Sequence, residues 1–317
     1  MKNMKKLCLG LLVLLISVSV MAQDVQVNVN PKVDAASIAQ EAAMSVLKDF
    51  DLDIDIDFGD LDKSSNDVAD YQEVTHEVEI PLSNPGQRGA LDVSTRNGKI
   101  KVVAYDGPTV KVKMTKYQKK VSETSSEGGM RLVSSGGFNF EASENNNIVK
   151  VENEGWNDRI DFEIQVPRNF DVKADAYNNG YIDIEGIEGE FDMESYNGPI
   201  TLNNVSGSVI ASTYNGSIKV TFDSVAPDTP MAFTTYNGDV DISVPDGTKM
   251  STKMKTNRDI FTDFSSFSIK DAKPITEKSD KGGFNIKYEN WVEGNLNGGG
   301  PEVMMKTTNG NIYIRKR

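Results

Sequence analysis

The sequence predicts an all-β fold: a β-helix or β-roll-like solenoid of short strands with Asn-Gly turns, preceded by an irregular antiparallel β region and a short N-terminal helix. An internal repeat carries most of that prediction. A Tyr precedes an Asn-Gly pair at Tyr177-Asn178-Asn179-Gly180, Tyr196-Asn197-Gly198, Tyr214-Asn215-Gly216 and Tyr236-Asn237-Gly238. Asn179, Asn197, Asn215 and Asn237 are spaced by 18, 18 and 22 residues, too short a period for two strands and a helix. After each Gly comes an apolar pair: Ile182/Ile184, Ile200/Leu202, Ile218/Val220 and Val240/Ile242. Each unit reads as strand, tight turn, strand, with Asn-Gly at the turn because both residues tolerate positive φ.

Weaker copies extend the repeat: Arg96-Asn97-Gly98 before Ile100/Val102, Thr256-Asn257-Arg258 before Ile260, and Thr308-Asn309-Gly310 before Ile312/Ile314. Two arrangements use such units, an antiparallel meander of hairpins or a coil with parallel stacked rungs. The near-constant period and identical in/out phase favour stacking, with like residues over like at about 4.8 Å per rung.

Taken in order, residues 1–22 read as a signal peptide cleaved after Ala22. Lys2, Lys5 and Lys6 precede an apolar run from Leu7 to Val20, short for a membrane span. Cys8 opens that run rather than closing it, which argues against a lipoprotein site. The expectation is therefore export to the periplasm, the cell surface or the medium, with no transmembrane segment in the mature chain. Beyond residue 22 there is no cysteine, which excludes disulfides, thiolate metal sites and a Cys nucleophile. The same stretch carries 31 Lys and Arg against 47 Asp and Glu, a formal charge of −16 that opposes nucleic acid as a partner.

Residues 23–73 form an acidic N-terminal segment. Asp34 to Asp49 has helical spacing at Ile38, Ala42, Val46 and Leu47, with Asp34 at the N-cap. Asp51 to Asp62 alternates acids with Leu52, Ile54, Ile56 and Phe58. Its likeness to a calcium loop fails because Gly59 falls one place late and Ser64 stands where a bidentate acid belongs. An edge strand with a charged outer side is the better reading. Residues 74–317 form the strand-repeat domain, with irregular antiparallel strands over 74–167 and regular rungs over 168–317. The last rung ends in Arg315-Lys316-Arg317, charges suited to an end that must not recruit another strand.

Phe162-Glu163-Ile164-Gln165-Val166-Pro167, Gly294-Asn295-Leu296-Asn297-Gly298-Gly299-Gly300-Pro301 and Thr307-Thr308-Asn309-Gly310-Asn311-Ile312-Tyr313-Ile314-Arg315 resemble the bacterial "putative adhesin" family of β-strand repeats over roughly residues 74–317. The resemblance implies a β-helix-like or β-roll fold on an envelope or secreted protein. It brings no catalytic residues.

Candidate chemistry is sparse. His76 is the only histidine and occupies an apolar-phase position of an alternating strand, so it reads as a sheet histidine rather than a base. Gly298-Gly299-Gly300 lacks the Lys-Ser/Thr of a phosphate loop and reads as a turn. No catalytic residue, metal ligand or cofactor is assigned. Asp183, Asp239, Asp241 and Lys219 project from neighbouring units, where they make either a solvated face or the acids of a polysaccharide lyase or hydrolase. Strand parity turns Ala176, Ser195, Thr213 and Thr235 inward and Tyr177, Tyr196, Tyr214 and Tyr236 outward. The Tyr row is either a structural stack or a ligand-binding strip.

Two functions follow: a non-catalytic envelope or secreted adhesin-like scaffold that binds a protein or glycan, or a carbohydrate-active enzyme on a β-helix. Nothing in the pattern specifies an oligomeric state.

Overall fold

The computed structural model describes residues 71–317, apart from 120–125, 128–129, 132–139, 154, 156–158, 179, 271–274, 280–282 and 288–290. The predicted signal peptide, helix and acidic strand lie outside the described residues. Those that are described form strands, bends and turns with no helix.

The repeats stack in parallel. Each rung contributes one strand to each of two facing sheets, and eight rungs follow one another in space. Rung 1 is Ile148–Asn153 with Arg159–Pro167, rung 2 is Gly89–Asn97 with Ile100–Tyr105, and rung 3 is Phe170–Asn178 with Ile182–Glu185. Rung 4 is Glu188–Asn197 with the first part of Ile200–Asn215, and rung 5 is the second part of that strand with Ile218–Val225. Rung 6 is Met231–Asn237 with Val240–Val244, rung 7 is Glu302–Lys306 with Ile312–Lys316, and rung 8 is Met250–Lys255 with Ile260–Thr262. The long strand passes between sheets at an irregularity around Asn204, a non-glycine residue at φ 54°.

Three sequence expectations change. Antiparallel pairing is not the rule over 74–167, because rungs 1 and 2 join the parallel stack. Antiparallel partners there flank it: Thr109–Lys119 pairs with Arg159–Pro167 and with Tyr71–Pro81, and Glu141–Asn145 pairs with Ile148–Asn153. The C-terminal strand is not a terminal rung, since Ile312–Lys316 lies between Val240–Val244 and Ile260–Thr262. Its charges pair with neighbours instead of guarding an edge: Arg315 Nε donates to Asp241 at 2.8 Å, Lys316 meets Asp246 at 2.7 Å, and Arg317 pairs with Asp223.

The Asn-Gly pairs are corners between sheets, not hairpin reversals. Asn97, Asn178, Asn197, Asn215 and Asn237 each end their strands, and none is among the described non-glycine residues with positive φ, which are Asn146, Asn147, Asn204 and Asn297. The repeat position in rung 3 is Asn178, in register with Asn97, rather than Asn179, which lies outside the described residues. Glycine is required at these corners by close approach. A Cβ on Gly216 would lie 2.2 Å from the Gly198 oxygen, one on Gly238 2.3 Å from that of Gly216, and one on Gly310 1.9 Å from that of Gly238.

Between the sheets lies one apolar core. One sheet supplies columns such as Ile100, Ile182, Ile200, Ile218, Val240 and Ile312, all essentially inaccessible to solvent. In the facing sheet, small Ala174 and Ala211 alternate with large Met193 and Phe233 in successive rungs. Burying each larger side chain contributes about 1.5–3 kcal/mol. Stacking identical branched residues suits a parallel sheet covered on its inner face.

Gly216→Ala isolates the corner constraint, because Gly216 is not among the positive-φ glycines. It is expected to destabilise the fold by roughly 1–3 kcal/mol or more by overpacking, read as a fall in the midpoint of urea unfolding. An unchanged midpoint would show that the corner has room.

Candidate functional site

Every position of the motif forms its own ladder along the stack. The residue before Tyr points inward, and its hydroxyl donates to the glycine carbonyl one rung back. Ser195 donates to Gly180 at 2.9 Å, Thr213 to Gly198 at 3.0 Å, Thr235 to Gly216 at 2.8 Å and Thr307 to Gly238 at 2.7 Å. The asparagines form a second ladder through their side-chain amides. Asn215 Nδ2 donates to Asn197 Oδ1 at 2.8 Å, Asn237 to Asn215 at 2.7 Å and Asn309 to Asn237 at 2.8 Å, with a longer 3.4 Å contact from Asn197 to Asn178. Such amide stacks are a property of in-register parallel strands.

All four predicted tyrosines come together outside. Tyr177–Tyr196, Tyr196–Tyr214 and Tyr214–Tyr236 have centroids 4.8, 5.3 and 5.0 Å apart and planes within 12° of parallel. Each side chain remains 41–44% exposed. A stack contributes about 0.5–1.5 kcal/mol beyond area burial. It also restricts what the row can bind. Tyr196 and Tyr214 have a ring against each face, so they present edges and hydroxyls outward rather than faces on which a sugar would lie. In rung 7 the ladder position is Thr308, and the aromatic row ends at Tyr236.

Beside the tyrosines, the outer face of rungs 2–4 is acidic. Asp92, Asp175, Asp192 and Glu194 gather there around Lys173, whose Nζ is 3.8 Å from Asp175. Partial burial pushes the Asp175 carboxyl up to about 6; Lys173 opposes that rise, and Glu194, Asp192 and Asp92 add to it. Burial likewise raises Asp192, again against Lys173. Further along this sheet, rung 5 presents Ile210 and Ser212, rung 7 Lys306 and rung 8 Lys253 and Lys255.

A cleft of about 360 Å³ opens where this acidic patch meets the Tyr row. It is lined by the outward side chains of Ser94, Arg96, Glu152, Asp175, Tyr177, Glu194 and Tyr196, over the backbone of the strands that carry Thr95, Asn153, Ala176 and Ser195 on their other face. Apart from the tyrosines, these lining residues were not among the sequence candidates. One signal was visible: Ala176 stands where the later repeats carry Ser195, Thr213 and Thr235.

The acids considered for catalysis are occupied locally. Asp239 accepts from the Asn311 backbone at 2.7 Å, Asp241 pairs with Arg315, and Thr201 separates Asp183 from the next rungs. Among the described residues no group of three or more His, Cys, Asp or Glu is arranged to hold a metal ion. His76 is exposed, opposite Met114 on an edge strand that overhangs the core.

The raised Asp175 gives a signed pH dependence. Its folded value near 6 exceeds the ordinary 3.8, so ionisation disfavours folding above pH 6. That penalty fades as pH falls through 6 and is gone below 3.8. Asp175→Asn is therefore expected to melt higher than wild type at neutral pH, with the gap closing towards pH 4. A gap constant with pH would contradict the assignment.

Two solved structures are similar to this chain. One is described as a putative cell adhesion protein from Clostridium sporogenes ATCC 15579, 12% identical, covering 78% of this chain and 100% of that one with a TM-score of 0.40. The other is described as a putative adhesin from Bacteroides fragilis NCTC 9343, 8% identical, covering 78% and 97% with a TM-score of 0.34. No curated protein matches the chain. The family model Toastrack DUF4097 matches residues 163–315, which run from the second strand of rung 1 through rungs 3 to 8.

Proposed function

We propose that this is a non-catalytic, adhesin-like or scaffold protein that is exported and engages a protein or glycan partner through the tyrosine-bearing face of its solenoid. The observation that carries the proposal is the row of four half-exposed tyrosines on a rigid sheet. Rings locked by stacking lose little conformational entropy on binding, which makes them efficient contact residues. Because their faces are used by one another, the contact is made by ring edges and phenolic hydroxyls, groups that hydrogen-bond to a partner while shielding its apolar surface. The basic start and apolar run of residues 1–22 and the export they predict are consistent with a partner in the envelope or outside the cell.

Paired substitutions separate contact from scaffolding. Tyr196→Phe with Tyr214→Phe keeps the stack and removes two hydroxyls, whereas Tyr196→Ser with Tyr214→Ser removes the stack. Binding to isolated cell envelopes is measured by co-sedimentation alongside thermal melting. The proposal expects the Phe pair to melt like wild type yet bind several-fold more weakly, and the Ser pair to lose about 0.5–1.5 kcal/mol per broken stack together with binding. Unchanged binding by both pairs would leave the row a purely structural device and sink the proposal.

A further inference from the structure

The outer face of the tyrosine-bearing sheet changes charge along the stack. In the column next to the tyrosines, strand register places Asp175, Glu194, Ser212, Thr234, Lys306 and Lys255 in line from rung 3 to rung 8. Two acids give way to two hydroxyls and then to two lysines. The neighbouring column carries Asp192 in rung 4, the 40% exposed Ile210 in rung 5 and Lys253 in rung 8. The minority charges, Lys173 and Glu302, stand in columns further from the tyrosines. Beyond rung 8, Val292–Leu296 pairs antiparallel with Met250–Lys255 in a register that sets Trp291 beside Lys255. The Lys253 and Lys255 ammonium groups lie 5.0 and 5.5 Å from the Trp291 ring centre, so the indole sits on the outer face. One end of the face thus holds an acidic cleft, and the other a lysine-flanked indole.

We infer that this face binds a second copy of the chain, antiparallel along the stack, with the Trp291, Lys255 and Lys306 end of each copy on the acidic cleft of the other. Symmetry selects the arrangement. A two-fold axis along the strands, passing between rungs 5 and 6, exchanges rung 3 with rung 8 and rung 4 with rung 7. Asp175 then meets Lys255 of the second copy, and Glu194 meets its Lys306. The Trp291 strand, one place beyond rung 8, falls on rung 2, whose Ser94 lines the cleft beside Glu152. At the centre Ser212 and Thr234 come together, hydroxyls that both donate and accept. An axis along the stack would instead set every rung on itself and place acids on acids. From rung 2 to the Trp291 strand the face is about 35 Å long and roughly 20 Å wide, so two copies would bury ~1,400 Å² in total, as specific interfaces do. An indole also supplies the aromatic anchor that such interfaces favour. The inference rests on the proposed partner-binding role of this face and names its protein partner.

The test follows the purified exported protein by sedimentation velocity from about 1 to 100 μM. A monomer–dimer equilibrium is expected, with a dissociation constant of roughly 1–50 μM in about 50 mM salt and at least about tenfold weaker in about 500 mM. Lys255→Glu with Lys306→Glu, and separately Asp175→Lys with Glu194→Lys, are each expected to sediment as monomers. An equimolar mixture of the two restores a dimer, because the swapped charges again meet opposites. Trp291→Ala leaves the charged columns intact and is expected to weaken the dimer at least about fivefold. Should thermal melting show that a reversal does not fold, Trp291→Ala and the neutral pair Lys255→Gln with Lys306→Gln carry the test. A monomer at about 100 μM in low salt overturns the inference. So does a dimer indifferent to salt, to Trp291→Ala and to the lysine substitutions, since it would use another face. A monomer whose envelope binding still depends on Tyr196 and Tyr214 sinks this inference and leaves the proposed function standing. A charge-rescued dimer whose envelope binding ignores those tyrosines removes the envelope partner and keeps the second copy.

Discussion

Parallel, in-register stacking is the constraint on which everything else in this molecule depends. Once strands stack this way, each residue's neighbours are its own counterparts one rung away, so every motif position must be compatible with itself. The tightest point is the corner, where glycine lies on glycine and a single Cβ would lie about 2 Å from a carbonyl oxygen. That approach leaves the glycine carbonyl within reach of the next rung's inward hydroxyl, and the Ser/Thr ladder follows from it. Beside it, Asn bonds to Asn and Tyr packs on Tyr for the same reason. Thr-Tyr-Asn-Gly is thus one geometric requirement expressed in four chemistries.

Periodicity made the stack legible, and its limits are equally physical. Alternation assigned each inward and outward residue correctly around the Tyr row, because parity survives whatever the strands pair with. Pairing partners were harder to read. Rung 2 lies between rungs 1 and 3 although it precedes rung 1 in the chain, and rung 7 enters between rungs 6 and 8 although it comes last. Neither insertion leaves a local mark, because a strand's two edges carry no record of which neighbour arrives. Arg315, Lys316 and Arg317 looked like edge protection for that reason. Only the fold brings Asp241, Asp246 and Asp223 beside them.

The Asn-Gly pairs illustrate a different ambiguity. The dipeptide is a strong hairpin signal because both residues tolerate positive φ. Here the asparagines keep strand geometry and are selected for an amide that hydrogen-bonds to its own copy. Composition is the same in both cases, and only the spacing separates them, since a hairpin would place the paired strands two residues apart rather than on successive rungs about 18 residues apart. Asn178 shows how fine the distinction is: register selects it over Asn179, although Asn179 is the residue directly before Gly180.

A ladder also turns a deviation into information. A repeat that satisfies its buried hydroxyls over several rungs has the means to do so in all of them, so an unmet hydroxyl at Thr95 and a missing one at Ala176 are departures from an available solution. The acidic residues Asp92, Asp175, Asp192 and Glu194 are concentrated on the same rungs, and partial burial, reinforced by repulsion from the other three, raises Asp175. Both departures carry a stability cost, and neither is needed for stacking, since rungs 5 and 6 stack with Ser212 and Thr234 at the positions occupied by Asp175 and Glu194. In a molecule whose stability comes from sameness, the two departures fall on opposite faces of neighbouring strands, the unmet hydroxyl towards the core and the crowded acids towards solvent, so each is a separate cost to the stack.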